Sequence, residues 1–203
     1  VQELYKTKEY FVKIPSDSND FEENYWGKTA DPDGNERNRF KEFDSIIPQF
    51  DYIIDYLKNK KIKNLLDIGC GSGILLAAIK KSGIVADLHG LDISKYAAQH
   101  ASQFAKIFTG DLTTANYLKD QFDVVVSHHV IEHVPDPLLF VKNIKKILKK
   151  NGILILATPD FDSATARLFG AKYRMLHDPT HINLFSNDSM HRLLRDNSFD
   201  IDY

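Results

Sequence analysis

The sequence has one cysteine, no long apolar run and nearly balanced charges. A lone thiol, Cys70, excludes an intrachain disulfide bond. No apolar stretch approaches the ~18 residues that a membrane span needs. With a net charge of −2, the chain lacks the basic field of a DNA- or RNA-binding protein. These absences predict a cytoplasmic protein, with neither a membrane nor a nucleic acid as its main partner.

What remains is an ordinary globular composition. The 203 residues are 43% hydrophobic and 27% charged, which suits one domain with a sizeable core. Four of the first ten residues are charged, so this stretch does not resemble a signal peptide. Because residue 1 is a valine, we expect that a short leader or tag preceded it.

The most informative segment is residues 64–73, which read Asn-Leu-Leu-Asp-Ile-Gly-Cys-Gly-Ser-Gly. Its apolar run, interrupted by Asp67, predicts a buried parallel strand. Gly69, Gly71 and Gly73 predict a turn that a ligand can approach closely, and helix formers follow. This spacing fits neither a Rossmann dinucleotide fingerprint nor a Walker loop. The plain alternative is a glycine turn in some other α/β protein.

From Leu65 onwards, strand and helix patterns alternate, which predicts a parallel sheet with helices on both faces. Right-handed crossovers make this a doubly wound α/β sheet that binds ligands outside the carboxyl ends of its strands. We predict strands at 64–68, 86–91, 104–108, 122–127, 152–157 and 199–203. We predict helices at 74–82, 95–101, 114–119, 137–149 and 187–196.

The glycine motif and the order of segments after it resemble class I S-adenosylmethionine-dependent methyltransferases, from about Lys63 to Tyr203. The resemblance implies a Rossmann-like, mostly parallel sheet and S-adenosylmethionine as the cofactor. Sheets of this family end in a hairpin of strands six and seven, whereas this sequence stops where strand six is predicted. We therefore expect the last strand to belong to further chain beyond Tyr203.

The resemblance assigns cofactor contacts to the ends of successive strands. Asp92, 25 residues after Asp67, is expected to bind both ribose hydroxyls, with a helix cap as the alternative. Asp111 is expected to accept from the adenine amino group and the Leu112 backbone to meet the ring, with a simple turn as the alternative. Asp67 is expected to hold the amino group of the methionine part. The predicted cofactor-binding residues are Asp67, Gly69, Gly71, Asp92, Ile93, Asp111, Leu112 and His128.

Histidines and a glutamate follow the fourth predicted strand. If that stretch is helical, His129, Glu132 and His133 share a face at metal-ligand spacing. The pattern also matches the inverted zinc-protease motif, but a strand before it and two prolines after it leave no room for the long helix of that motif. Methyltransferases acting on ubiquinone precursors and on small-RNA 3′ ends carry E-x-x-E-H here and can bind a divalent ion. In this chain His129 replaces the first glutamate, and imidazole favours zinc, iron or nickel.

A later loop brings another histidine to the same edge of the predicted sheet. The segment from His181 to Phe185 resembles the His-x-x-x-Phe element of small-molecule methyltransferases from sugar and polysaccharide pathways. Three roles remain open for His181: a general base, a metal ligand, or a brace for the His133 loop. We predict His181 and His133 as the catalytic residues. A divalent metal is a second, not favoured, hypothesis, with the ligands His129, Glu132, His133 and His181.

Two regions follow from this interpretation. Residues 1–62 form an N-terminal extension, predicted to be helical at 37–59 and to cover the acceptor site as a lid. Its Tyr25 and Trp26, with Arg37 and Arg39, are expected to shape the acceptor pocket, and packing outside the sheet is the alternative. Residues 63–203 form the cofactor-binding core.

The sequence therefore predicts an enzyme that transfers a methyl group to an oxygen, or as a second choice a nitrogen, of a small molecule. A carbohydrate or phosphorylated metabolite of a surface-polysaccharide or secondary pathway is the first expectation, supported in part by the basic residues Arg167 and Arg174. The alternatives are a metal-assisted RNA methyltransferase and a non-catalytic partner protein that retains the cofactor. Acceptor identity and oligomeric state are left open.

Overall fold

The structure is a computed structural model, and it describes residues 29–30, 36–37, 47–84, 86–117, 119–177 and 180–202. Most of the predicted lid, including Tyr25, Trp26 and Arg39, lies outside these ranges. Of the helix predicted at 37–59, Arg37 lies in a short strand instead, so the prediction is wrong there. The rest of its described part forms a 3-10 turn at Ile47–Phe50 followed by a short helix at Asp51–Leu57. The proline at position 48 falls in the 3-10 turn, where its missing N–H removes no α-helical hydrogen bond.

A five-stranded parallel sheet forms the centre of the described chain. Its strands are β1 (Asn64–Ile68), β2 (Asp87–Asp92), β3 (Lys106–Thr109), β4 (Phe122–His128) and β5 (Leu148–Ala157). The strand order is β3-β2-β1-β4-β5, and every neighbouring pair is parallel. The order reverses between β1 and β4, so the fold has its topological switch point there. A separate antiparallel pair joins Thr29–Ala30 to Glu36–Arg37.

Helices connect the strands and cover both faces of the sheet. They are α1 (Asp51–Leu57), α2 (Ile74–Lys81), α3 (Lys95–Ala101), α4 (Pro137–Ile147), α5 (Ala164–Phe169) and α6 (Asn187–Asp196). Ser94, Asp136, Ser163 and Ser186 act as N-caps by accepting a backbone N–H of the first turn. None of the helices in the described ranges is both long enough and apolar enough to cross a membrane.

Two apolar cores lie on opposite faces of the sheet because neighbouring strand residues point in opposite directions. Leu65 and Val124 point into the core beneath α1 and α2. Leu66 and Val125 point into the core beneath α4 and α6. All four side chains are fully buried, so β1 and β4 are covered by protein on both faces.

The helix predicted at 114–119 is wrong for residues 114–117 and 119, which are described and not helical. Asp111 Oδ1 accepts from the backbone N–H groups of Thr113 and Thr114, which closes a turn at this point. Tyr117 then packs its ring edge-on against Phe122, with centroids 5.2 Å apart. Side-chain hydrogen bonds of Asp and Thr compete with helix formation, so the segment stays irregular.

The strand predicted at 199–203 is also wrong for residues 199–202, which form no ladder. Ser198 adopts a left-handed conformation with φ of 60°, and its carbonyl accepts from Lys145 Nζ at 2.5 Å. The Lys145 ammonium also lies over the Phe199 ring, 4.4 Å from its centroid. These contacts tie the chain to α4. They leave an open groove of about 1090 Å³ along β5.

We predict that the α4 side of the core contributes strongly to stability. Ile144 is fully buried on α4, so Ile144→Ala should lower the free energy of unfolding by ~2–5 kcal/mol. Leu139 lies on the same helix and is 45% exposed, so Leu139→Ala should change the free energy of unfolding by no more than ~0.5 kcal/mol. Urea denaturation measures both variants. Equal losses would contradict the assignment of this helix face to the core.

Candidate active site

The turn after β1 lies at the switch point of the sheet, where ligands of doubly wound folds bind. Gly69, Gly71 and Gly73 all have positive φ, at 71°, 51° and 84°. A Cβ on Gly69 would lie 2.3 Å from Val130 Cγ2, so a side chain there meets both backbone strain and a clash. The turn therefore needs glycine for its own geometry.

Asp92 connects this turn to the end of β2. One carboxylate oxygen accepts from Gly71 N at 2.7 Å, and the other accepts from Ser94 N at 2.8 Å. The side chain is 8% exposed. Since a carboxylate has about four lone-pair sites, these two bonds do not by themselves use up its acceptor capacity. The helix-cap role belongs to Ser94, whose hydroxyl accepts from Ala97 N.

Asp67 places a second carboxylate near Asp92. It is 3% exposed, and burial together with the charge of Asp92 raises its pKa well above the usual range. Two buried acidic groups at one edge favour a cationic ligand and oppose a pyrophosphate. Burial likewise raises the pKa of the nearby Cys70 thiol, which keeps that sulfur protonated and unreactive.

The predicted adenine region lies at the ends of β2 and β3. Ile93 is 79% exposed, an unusual position for a large apolar side chain beside a buried carboxylate. Asp111 is exposed, and hydrogen bonds from Thr113 and Thr114 lower the pKa of its carboxyl, so it is ionised at neutral pH. These bonds all go to Oδ1. Asp111 therefore closes a turn, as the alternative interpretation expected, and its role at the adenine stays a prediction.

His128 ends β4 and lies against Phe50 of the N-terminal extension. Their ring centroids are 5.4 Å apart in an edge-to-face arrangement. Burial, and then the neighbouring His129, lower the pKa of His128 to about 4. This imidazole is consequently neutral at physiological pH and offers one donor and one acceptor nitrogen.

Glu132 is a fully buried carboxylate that joins the ends of β4 and β5. It accepts from His129 Nδ1 at 3.0 Å and from Thr158 Oγ1 at 3.0 Å. Although burial by itself raises the pKa of Glu132, these hydrogen bonds lower it overall, so the group is ionised. His129 adopts a left-handed backbone with φ of 58°, which turns its ring back towards Glu132.

Glu132, His133 and His181 form a compact cluster whose ligand atoms all lie within 4.8 Å of one another. The rings of His133 and His181 have centroids 4.8 Å apart. His133 Nδ1 faces the Thr180 carbonyl at 3.0 Å, and His181 Nδ1 faces the Met175 carbonyl at 2.9 Å. A carbonyl only accepts, so each Nδ1 carries a proton, and in the neutral form of each ring Nε2 is the acceptor nitrogen.

The predicted single helical face for His129, Glu132 and His133 is wrong. Residues 131–133 form one 3-10 turn, and His129 precedes it in a left-handed conformation. His129 therefore contacts Glu132 from outside the cluster and is not one of its three members. A metal site built on these residues has Glu132, His133 and His181 as its ligands, with His129 supporting the glutamate.

Sequence reasoning missed two side chains that organise this region. Thr158 directly follows β5, and its position at a strand end was a usable signal. Asn183 donates its amide to the Val134 carbonyl at 2.7 Å, but it lies in an irregular segment without periodicity. Among the predicted basic residues, Arg167 is paired with Asp162 at 2.8 Å. That pairing weakens the prediction that it binds a phosphorylated acceptor.

A comparison with known families matches residues 36–203 to a family model described as a methyltransferase domain. The chain belongs to this methyltransferase family. The ubiquinone biosynthesis O-methyltransferase of Haemophilus ducreyi is 33% identical over 168 residues, covering 74% of this chain and 69% of that protein. Its namesake from Histophilus somni is 31% identical over 168 residues, covering 74% and 68%.

A solved structure agrees with the fold. The plantazolicin methyltransferase BpumL, in complex with SAH, superimposes with a TM-score of 0.63 at 21% identity, covering 96% of this chain and 77% of that one. The predicted fold class, enzyme class and cofactor are therefore confirmed: the chain is an S-adenosylmethionine-dependent methyltransferase with a doubly wound parallel sheet. The roles of individual site residues stay predictions.

The residues at the switch point fit this cofactor. S-adenosylmethionine carries an ammonium and a sulfonium, and a cation beside the buried carboxyl groups of Asp67 and Asp92 favours their ionised form. Its ribose needs acceptors, which Asp92 retains, and its adenine needs an apolar surface, which exposed Ile93 offers. The arrangement thus suits a cationic nucleoside better than a dinucleotide.

We predict that Asp92→Ala weakens binding of S-adenosylhomocysteine by ~10–100-fold, because hydrogen bonds to a charged group contribute ~1.5–3 kcal/mol each. Calorimetry measures the affinity. Asp87→Ala is the matched control, since Asp87 lies at the opposite end of β2 and pairs with Lys106 at 2.7 Å. An unchanged affinity in Asp92→Ala would remove this residue from the ribose site.

We predict that Asp67→Asn weakens cofactor binding but stabilises the fold. The pKa of Asp67 is higher in the folded than in the unfolded chain, so its contribution to stability decreases as pH rises above the unfolded value of 3.8. The neutral amide of Asp67→Asn avoids this cost. If the variant gains ~1 kcal/mol in the free energy of unfolding, its melting point at pH 7 should be roughly 2–4 °C higher than that of the wild type. The gain should shrink as pH falls towards 3.8.

The matched control for this variant is Asp123→Asn. Burial raises the pKa of Asp123, but hydrogen bonds from Lys149, Asn64 and Lys63 lower it overall. The ionised carboxylate therefore stabilises the fold, and Asp123→Asn should lower the melting point. Melting curves at pH 4 and pH 7 compare the two variants. A lower melting point for Asp67→Asn at pH 7 would contradict the proposed repulsion between Asp67 and Asp92.

Proposed function

We propose that this methyltransferase transfers the methyl group to a hydroxyl on the aromatic ring of a small acceptor. Two relatives that each cover 74% of this chain are named ubiquinone biosynthesis O-methyltransferases. Ubiquinone carries methoxy groups on its ring, so that name supports transfer to a ring hydroxyl. This gives the predicted carbohydrate acceptor no support. Transfer to nitrogen remains the second choice.

The observation that carries the proposal is the pairing of His133 with His181. Both imidazoles have Nδ1 on a backbone carbonyl, so in the neutral form each has Nε2 as its acceptor nitrogen. A ring hydroxyl must lose a proton as its oxygen attacks a methyl group. An oriented neutral imidazole can take that proton, which is typically worth ~10²–10⁴-fold in rate.

The remaining residues position the reactants. When bound, S-adenosylmethionine supplies an electrophilic methyl group with a neutral leaving sulfide. Asp92 holds the ribose, the backbone of Gly69 and Gly71 contacts the methionine part, and Asp67 holds the ammonium end. His128, neutral and packed on Phe50, borders the path of the acceptor oxygen. His181 accepts the proton and His133 orients the hydroxyl, so catalysis rests mainly on position.

A divalent ion is compatible with the same cluster but is not required by it. Glu132, His133 and His181 provide one carboxylate and two imidazoles, a donor set that suits zinc or iron better than magnesium. Both oxygens of Glu132 already accept hydrogen bonds from His129 and Thr158, so its charge is compensated without an ion. The lid, a cytoplasmic location and a small-molecule partner likewise remain predictions.

We predict that labelled S-adenosylmethionine methylates catechols and hydroxybenzoates rather than sugars, phosphorylated metabolites or RNA. Each pool is assayed with and without exhaustive chelation, and we expect transfer to survive the chelator. Asp92→Ala is the control that shows that label depends on the cofactor site. Transfer to RNA alone, or no transfer together with tight cofactor binding, would instead support the nucleic-acid or the non-catalytic alternative. Loss on chelation that zinc or iron restores would make the cluster a metal site.

We also predict that His181→Ala lowers kcat by ~10²–10⁴-fold while the affinity for the cofactor barely changes. His181→Asn keeps hydrogen-bonding capacity but cannot take a proton, so it should be nearly as slow. His191→Ala, on α6, is the control histidine. A fast His181→Asn enzyme would assign the bracing role to this residue and move the base to His133.

A further inference from the structure

Hydrogen bonds connect the loop that carries His181 to the turn that carries His133. The backbone N–H groups of Ile182 and Asn183 both donate to the Glu132 carbonyl at 3.0 Å. The Asn183 amide donates to the Val134 carbonyl at 2.7 Å. His133 Nδ1 donates to the Thr180 carbonyl at 3.0 Å. The two segments lie about 50 residues apart in sequence, so their alignment depends on these contacts.

We propose that Asn183 is a positioning residue that holds His133 and His181 in their working orientation. Both backbone N–H groups meet a single carbonyl, and the Asn183 side chain adds a second point of attachment on the far side of the 3-10 turn. Two points of attachment prevent rotation about the first. The inference rests on the proposed function, because it concerns the orientation of the two histidines assigned to proton handling.

The chemistry of the site requires an amide at this position. The Asn183 Nδ2 lies 2.7 Å from the Val134 carbonyl and 3.5 Å from the Ile131 carbonyl, and one –NH₂ group can donate to both. These carbonyls belong to the short turn at 131–133 and its C-terminal flank, whose backbone groups lack helical partners. An aspartate of the same shape would present a carboxylate to carbonyl oxygens and could not donate.

Asn183 acts on His133 through Thr180. As long as the 180–183 segment keeps its place, the Thr180 carbonyl fixes the proton of His133 on Nδ1. If the segment shifts, this bond is lost and the imidazole can adopt the other tautomer. The tautomer of His133 is thus a readout of alignment that a general loss of stability does not change.

The test compares Asn183→Asp with Asn197→Asp in the full chain. Asn197 also donates its amide to a backbone carbonyl, that of Leu193 at 2.8 Å, but it lies at the end of α6. Nitrogen-15 spectra of the imidazoles, assigned with His133→Gln, report the tautomer. We expect the wild type and Asn197→Asp to keep the His133 proton on Nδ1, and Asn183→Asp to move it largely to Nε2.

Kinetics and binding complete the test. Asn183→Asp should lower kcat by ~10–100-fold, the size of effect that a misplacement near 1 Å can cause. Its affinity for S-adenosylhomocysteine should stay within about twofold of wild type, since Asn183 lies outside the predicted cofactor set. If Asn183→Asp does not fold, Asn183→Ala removes the donor without adding a charge. A wild-type tautomer together with wild-type kcat in either variant overturns the proposal.

The proposed function can fail separately from this inference. If His133→Gln and His181→Ala retain full kcat, the two histidines do not handle the proton, whatever the tautomer measurement shows. If both are slow and Asn183→Asp is as fast as wild type with an unchanged tautomer, the function stands and the role of Asn183 is wrong.

Discussion

The carboxylate of Asp92 is the interaction on which the cofactor end of this structure depends. It accepts from Gly71 N and from Ser94 N, so one side chain joins the glycine turn after β1 to the start of α3. The three glycines of the turn have no side chains to hold it, and the N–H groups of Gly69 and Cys70 donate to the Leu91 carbonyl on β2. Asp92 adds a buried side-chain acceptor at the end of the same strand.

The same arrangement creates an electrostatic tension. Asp67 and Asp92 are both buried at one edge of the sheet, and the pKa of Asp67 is raised by burial and by its neighbour. Such a pair is unfavourable for the protein alone and favourable for a cationic ligand. At the acceptor end, Glu132 is also buried, but hydrogen bonds from His129 and Thr158 offset its burial. Burial therefore raises the pKa of Asp67, whereas hydrogen bonds within the chain keep Glu132 ionised.

The sequence predicted most strands and helices because their signals are local. β1, α3 and α6 have the predicted bounds, since an apolar run, a capping serine and a helical period each act within a few residues. The helix at 114–119 failed because Asp111 closes a turn that competes with it. The strand at 199–203 failed for its described residues because Lys145, 53 residues earlier than Ser198, binds that carbonyl and draws the chain towards α4. Neither the Asp111 turn nor the Lys145 contact produces a periodic pattern in the sequence.

The sequence by itself determined the order of strands and helices, the glycine turn, and the strand ends at which Asp67, Asp92, Asp111 and His128 lie. Those properties follow from backbone geometry and from the rule that parallel strands present their carboxyl ends at one edge. Only the tertiary structure decided that His129 bends back to Glu132, that His133 faces His181, and that Asn183 joins their two loops. These contacts join residues that are distant in sequence or left-handed in conformation. Hydrogen bonds between irregular segments leave no periodic trace, because they depend on where two loops meet rather than on how either one folds.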